Sequence, residues 1–206
     1  MLFRSDWVDG VLFDSGVSSM QIDDRERGFT YAHDAQLDMR MDSSGELSAA
    51  VILNEYPEAA IAHILHIYGE ERFARRIATG IVRSRASGPI SSSGHLTKII
   101  EASVPAAARR RGGHPAKRTF QALRIAVNDE LTHLDQAVHQ ALDSVGVGGR
   151  VIALSYHSLE DRIVKKQFTL RTRTNEPHDL PLRAQDRKST RLNSSHSSVS
   201  RMPSSA

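Results

Sequence analysis

Hydrophobic and polar positions alternate in blocks that predict a short series of elements. Residues 7–13, WVDGVLF, form a β-branched and aromatic run that ends at Asp14 and is followed at once by Ser15-Gly16. Such a run reads as a buried strand with a loop at its carboxyl end. Residues 15–45 are rich in Gly, Asp and Ser and read as loops. Ser48 is placed to cap a helix reaching about Tyr56, and Pro57 opens a second that carries Ile61, Ile64, Leu65 and Ile67 to Tyr68, where Gly69 stops it. Glu70 to Arg85 reads as a third helix, acidic at its start and basic at its end, as the helix dipole prefers. Gly88-Pro89 breaks the chain, and Ser93 to Ser103 reads as a fourth helix that Pro105 ends. Phe120, Leu123, Val127, Leu131, Leu134, Val138, Leu142 and Val145 then recur at steps of three and four. That stripe predicts one long helix over roughly residues 116–145, ended by Gly146, Gly148 and Gly149. Val151 to Leu154 reads as a second buried strand, and Leu159 to Leu170 as a helix with Glu160 and Asp161 in its first turn.

Strand, helical block, long helix, strand, helix is the order of an α/β protein with buried strands. A wholly helical block of about 90 residues lies between the two parts of the sheet. The expected division is 6–23 and 114–170 for the sheet domain, 24–113 for the helical block, and 171–206 for a tail. Residues 189–206 carry eight Ser and no acid, with neither a helix nor a strand period, so they read as disordered or foreign sequence. Met1 to Ser5 reads as a similar scar.

Composition narrows the class. The 206 residues contain no cysteine, which excludes a disulfide-stapled scaffold and any thiolate site. No apolar run approaches the ~20 residues of a membrane helix, and the first residues lack the apolar core of a signal peptide, so a cytoplasmic protein is expected. The net charge of +3 is uneven. Residues 171–206 hold seven of the 27 Lys and Arg and three of the 24 Asp and Glu, leaving 20 against 21 in the body. A globally basic nucleic-acid binder is not indicated, and any such surface is a local patch.

Two polar clusters follow the predicted strands, where ligands of open parallel sheets sit. Asp14-Ser15-Gly16 is one, and Ser155-Tyr156-His157-Ser158 is the other. Asp14 either accepts hydrogen bonds from a ligand's hydroxyl or amino groups or caps a turn. His157 either accepts a proton or, with its serine neighbours, caps the next helix, and spacing alone favours the cap. The ten His are scattered, and no metal-binding spacing stands out. Arg109, Arg110 and Arg111 with Lys117 and Arg118, and Arg72, Arg75, Arg76, Arg83 and Arg85, are basic runs that meet either phosphates or solvent. No glycine-rich loop follows a strand, because Gly146-Val147-Gly148-Gly149 precedes one.

Six blocks carry a family resemblance: GVLFDSGVSSMQIDD (10–24), ERGFTY (26–31), LDMRMD (37–42), YGEERFARRIA (68–78), GGHPAKRTFQALRIAVNDEL (112–131) and LSYHSLEDRIVKKQF (154–168). In order and content they resemble the RsmH (MraW) family over about residues 6–170. The resemblance implies a Rossmann-like methyltransferase domain interrupted by a helical substrate-recognition domain. It implies S-adenosylmethionine as cofactor and methyl transfer to the N4 amine of a cytosine in small-subunit ribosomal RNA, free or in the 30S subunit. Asp14 and Gln21 match the family's donor-lining positions, although Ser15 stands where Leu is usual and Met20 where Pro is usual. Asp14 and His157 are the candidate catalytic acceptors, Tyr156 a candidate stacking platform for the base, and the Arg109–Lys117–Arg118 run the RNA contact. No metal is required. The family's glycine-rich donor loop precedes Asp14 and has no counterpart here, so the chain resembles an internal fragment. It is expected to be inactive alone and to be poorly stable or to associate, for example as a homodimer. The alternative is a non-catalytic ribosomal-RNA-binding module built on the helical block and residues 109–118.

Overall fold

The structure, a computed structural model, describes residues 7–18, 20, 24, 27–109 and 113–172. Gln21, Arg110, Arg111, Met1–Ser5 and the Ser-rich stretch 189–206 lie outside the described residues.

Among the described residues the chain runs β1 (Val8–Asp14), α1 (Ala49–Glu55), α2 (Glu58–Gly69), α3 (Ala74–Arg85), α4 (Ser93–Ser103), a single turn α5 (Ala106–Arg109), α6 (Ala116–Asn128), α7 (Glu130–Ser144), β2 (Val145–Leu154) and α8 (Ser158–Thr172). β1 and β2 pair in parallel, with Leu12 opposite Ile152 and Asp14 opposite Leu154. Strands so far apart in sequence pair in parallel only through a crossover, and here the crossover is the whole helical block.

Serine caps two of the helices, at Ser48 as the sequence predicts and also at Ser92. Ser48 Oγ accepts from the Val51 N–H at 3.3 Å, and Ser92 Oγ from the His95 N–H at 3.2 Å. One core joins the block, with Ile52, Leu53, Ile61, Leu65, Ile77, Ile81, Leu96 and Ile100 fully buried. Asparagines lock the loops onto it. Asn54 exchanges two hydrogen bonds with Ile90, and Asn128 donates to Met39 O at 2.8 Å while accepting from the Met41 N–H at 2.6 Å. These bonds satisfy loop backbone that burial would otherwise leave unpaired.

Four expectations are corrected. The third helix begins at Ala74 and not at Glu70, because α2 ends in a left-handed Glu70 (φ 48°). α2 passes so close to α6 that a Cβ on Gly69 would lie 2.6 Å from Arg118 O. The long helix is two helices, since Asp129 is left-handed (φ 46°) and turns α7 away from α6. The two halves of its apolar stripe part company: Phe120 and Leu123 pack into the core of the helical block, whereas Leu134 and Val138 are buried outside that cluster. The glycines after Ser144 do not merely stop a helix. They belong to β2, which is longer than expected, and Gly148 (φ +90°) lies where the register shifts between Val8 and Gly10. Finally, the strands are not buried on both faces. Leu12 is 65% exposed, Ile152 51% and Leu154 44%, while Val11, Phe13, Val151 and Ala153 on the other face are half-buried.

Candidate active site

The carboxyl ends of β1 and β2 lie side by side and bring the two polar clusters together. Tyr156 Oη donates to Asp14 Oδ1 at 2.7 Å, a contact across 142 residues of sequence. That bond raises the tyrosine hydroxyl above its ordinary value, with the negative Asp14 adding to the effect. The hydroxyl therefore stays a donor at neutral pH and holds one oxygen of the carboxylate in place. Gly16, with φ +118°, turns the chain just past Asp14 beneath the Tyr156 ring, and Ser15 Oγ donates to Leu154 O at 3.5 Å. Asp14 is exposed, and the Tyr156 ring is 69% exposed beside it. The carboxylate and the ring face thus open to one side.

His157 is built into the structure differently. Glu160 Oε2 accepts from the backbone N–H groups of Tyr156 (2.7 Å) and His157 (3.2 Å), and His157 Nδ1 accepts from the Glu160 N–H at 3.4 Å. This is a reciprocal cap at the start of α8. Nδ1 as acceptor leaves the ring proton on Nε2, which is buried 3.3 Å from Glu160 Oε1 without hydrogen-bond geometry. Burial pushes the imidazole's proton affinity down, partly offset by Glu160. A neutral ring folded onto Glu160 is the geometry of a loop anchor. Of the two predicted acceptors, only Asp14 presents its atoms to the open side.

Of the predicted RNA contacts, Tyr156 lies at Asp14, and the described basic residues line a separate cleft. Arg109, Lys117 and Arg118 line a cleft of about 540 Å³ with Arg72, Phe73 and His114. His114, predicted as part of a flexible connector, stacks on Tyr31 with ring centroids 4.4 Å apart. Glu70, which sequence reasoning passed over, joins the cleft to the α8 cap. Its carbonyl accepts from Arg118 Nη1 at 2.7 Å, and its carboxylate accepts from Ser158 Oγ at 2.8 Å and from Arg162. The Ser158 hydroxyl, then Arg162, hold the Glu70 carboxyl below its ordinary range. The only sequence signal was its position straight after a helix-stopping glycine, where a left-handed residue ends a helix.

The MraW methylase family matches over residues 4–205, a match that continues through the Ser-rich stretch. A "Ribosomal RNA small subunit methyltransferase H" of a Nocardioides species is 61% identical over 176 residues, covering 85% of this chain and 55% of that protein. Proteins of the same name from Mycolicibacterium paratuberculosis and Saccharopolyspora erythraea are 61% and 58% identical over 175 residues, 85% of this chain and 45% and 53% of theirs. The chain spans about half the length of the curated relatives it matches. With the family matching over residues 4–205 and relatives about 60% identical over 85% of its length, the chain belongs to the MraW methylase family.

Proposed function

We propose that the protein transfers a methyl group from S-adenosylmethionine to the N4 amine of a cytosine in small-subunit ribosomal RNA, with Asp14 as acceptor. The observation that carries this is the exposed Asp14 carboxylate, fixed by Tyr156 at the joined strand ends. When bound, the donor supplies an electrophilic methyl on a sulfonium. Asp14 fits a donor hydroxyl or a base amine, because its Oδ1 is anchored and its carboxylate faces outward. Methylases of this family take S-adenosylmethionine as methyl donor. Gln21, the other proposed donor contact, lies outside the described residues.

The amine lone pair of cytosine is delocalised into the ring and is a poor nucleophile. A carboxylate accepting an amino hydrogen lets the nitrogen pyramidalise and takes up the proton that the methylated amine gives up. A base unstacked from the RNA and laid on the exposed Tyr156 ring brings its exocyclic amine to the Asp14 side. His157 contributes by fixing the loop that carries Tyr156. The remaining acceleration is positional.

Calorimetric titration of the chain with S-adenosylhomocysteine tests this, paired with RNA-binding measurements. Asp14→Ala is expected to weaken donor affinity by about 10- to 100-fold, the range for a charge-assisted hydrogen bond. Unchanged affinity removes Asp14 from the site. Salt-dependent RNA binding with no donor binding favours the second reading, a ribosomal-RNA-binding module, which the cleft of Arg109, Lys117 and Arg118 supports.

A further inference from the structure

A second basic cleft continues the first. It lies between α2 and α3, measures about 780 Å³, and is lined by His63, His66, Arg72, Arg75 and Arg76. Arg72 is common to both clefts, so their cations form one row: Arg109 and Lys117, then Arg72, then Arg75 and Arg76.

Two sets of arginine stand out among the described residues. Arg27 and Arg85 each donate to two backbone carbonyls, and Arg40, Arg124, Arg162 and Arg171 pair with Asp38, Glu130, Glu70 and Asp143. Arg72, Arg75, Arg76 and Arg109 are exposed and, among the described residues, form no salt bridge. The carboxylates at the second cleft are turned to other donors. Glu58 accepts from Thr79 Oγ1 at 2.6 Å, and the buried Glu71 accepts from the Phe73 N–H at 2.8 Å. A merely solvated helix face mixes charge signs, as α8 does with Asp161 and Lys165. Residues 72–88 contain no acid at all.

We infer that the sugar–phosphate backbone of the RNA substrate runs through both clefts, with Arg75 and Arg76 holding phosphates beyond those met by Arg109 and Lys117. A row of unpaired guanidinium forks suits a polyanion of repeating charge. The row also leads to the reacting end, because Arg118 and Arg162 meet on Glu70, and Ser158 beside them follows the Tyr156-His157 loop. This inference rests on the reading of RNA as the substrate.

The test is the affinity of the full chain for a labelled unstructured RNA oligonucleotide across a salt series. Arg75→Ala/Arg76→Ala is expected to weaken binding and to lower the slope of log affinity against log salt by about 1.4, two phosphate contacts at roughly 0.7 each. Arg75→Lys/Arg76→Lys keeps the slope, and Arg83→Ala, on the same helix but outside the clefts, leaves affinity unchanged. If the double alanine variant matches the parent while Arg109→Ala/Lys117→Ala weakens binding, the RNA stops at the first cleft. The inference then falls and the proposed RNA contact stands. If neither variant weakens binding, both fall. Poly-glutamate displacing the RNA as effectively as unlabelled RNA would reassign the row to an acidic protein and overturn the inference.

Discussion

The helical block and the paired strands treat the same kinds of side chain in opposite ways. In the block, Ile52, Leu53, Ile61, Leu65 and Ile77 have no exposed surface, and its loops are held by Asn54, Asn128 and Arg27. In the sheet, Leu12, Ile152 and Leu154 stand at the surface. The difference lies in the number of covering elements. The helices of the block pack chiefly against one another, whereas among the described residues the two strands pack chiefly against each other, with α7 beside β2. The candidate acceptor thus sits on the side with less packing around it, and the cation row on the side with more.

The sharpest way to break this comparison is to delete equal volumes from both regions. Leu65→Ala is expected to cost about 2–5 kcal/mol by urea unfolding, the range for a fully buried leucine. Leu12→Ala should stay within about 0.5 kcal/mol, as surface changes do. Equal costs would mean that the sheet face is covered in solution, and sedimentation would then show association.

Gly69→Ala probes the close approach of α2 to α6, where the new methyl meets a backbone carbonyl that can retreat only by parting the helices. A loss of about 1–3 kcal/mol is expected in the same assay. A neutral result would show that the block is looser than its burial implies.

Acid should act on the sheet side first. Burial lowers the His157 pKa below its ordinary 6.5, with Glu160 opposing. The unfolded chain therefore takes up that proton more readily, so the contribution is intact above about pH 6.5 and declines as the pH falls. Trp7, the single tryptophan, lies beside β1 and reports on this region by fluorescence, whereas far-ultraviolet dichroism reports mainly on the helices. The fluorescence midpoint is expected to drop on going from about pH 7 to pH 5.5 while the dichroism midpoint moves less, and His157→Gln should flatten that drop. Coincident midpoints at every pH would make the two regions one cooperative unit.

The smallest effect is expected at their junction. Glu70→Gln removes a half-exposed ion pair with Arg162 and should cost under about 1 kcal/mol in unfolding. Its larger consequence is expected in RNA affinity, because Glu70 links the basic cleft to the α8 cap.

Local signals were legible where a residue's own chemistry decides the backbone. Ser48 caps a helix, Pro57 precedes α2 and Pro105 follows α4, all as the sequence reading requires. Asp14 was legible only as a candidate, because an acid directly after an apolar run either meets a ligand or caps a turn. The break at Asp129 was not legible. The apolar stripe continues through it at unbroken helical spacing, and only the structure shows that its first half joins the block's core while its second half is buried outside that cluster, across a left-handed residue. Glu70 was hidden for a similar reason. Its partners Arg118, Ser158 and Arg162 lie 48 to 92 residues away, and no period relates them.

The sequence by itself determined the kinds of element, their order and the family, since capping, apolar periodicity and block similarity are properties of short stretches. Only the tertiary structure decided which of those stretches share a core, which arginines are spent on internal partners and which remain unpaired. It alone set Tyr156 on Asp14 and folded His157 onto Glu160. Those outcomes depend on distances between residues far apart in the chain, and such distances are fixed by packing, which hydrophobic burial drives without regard to sequence separation.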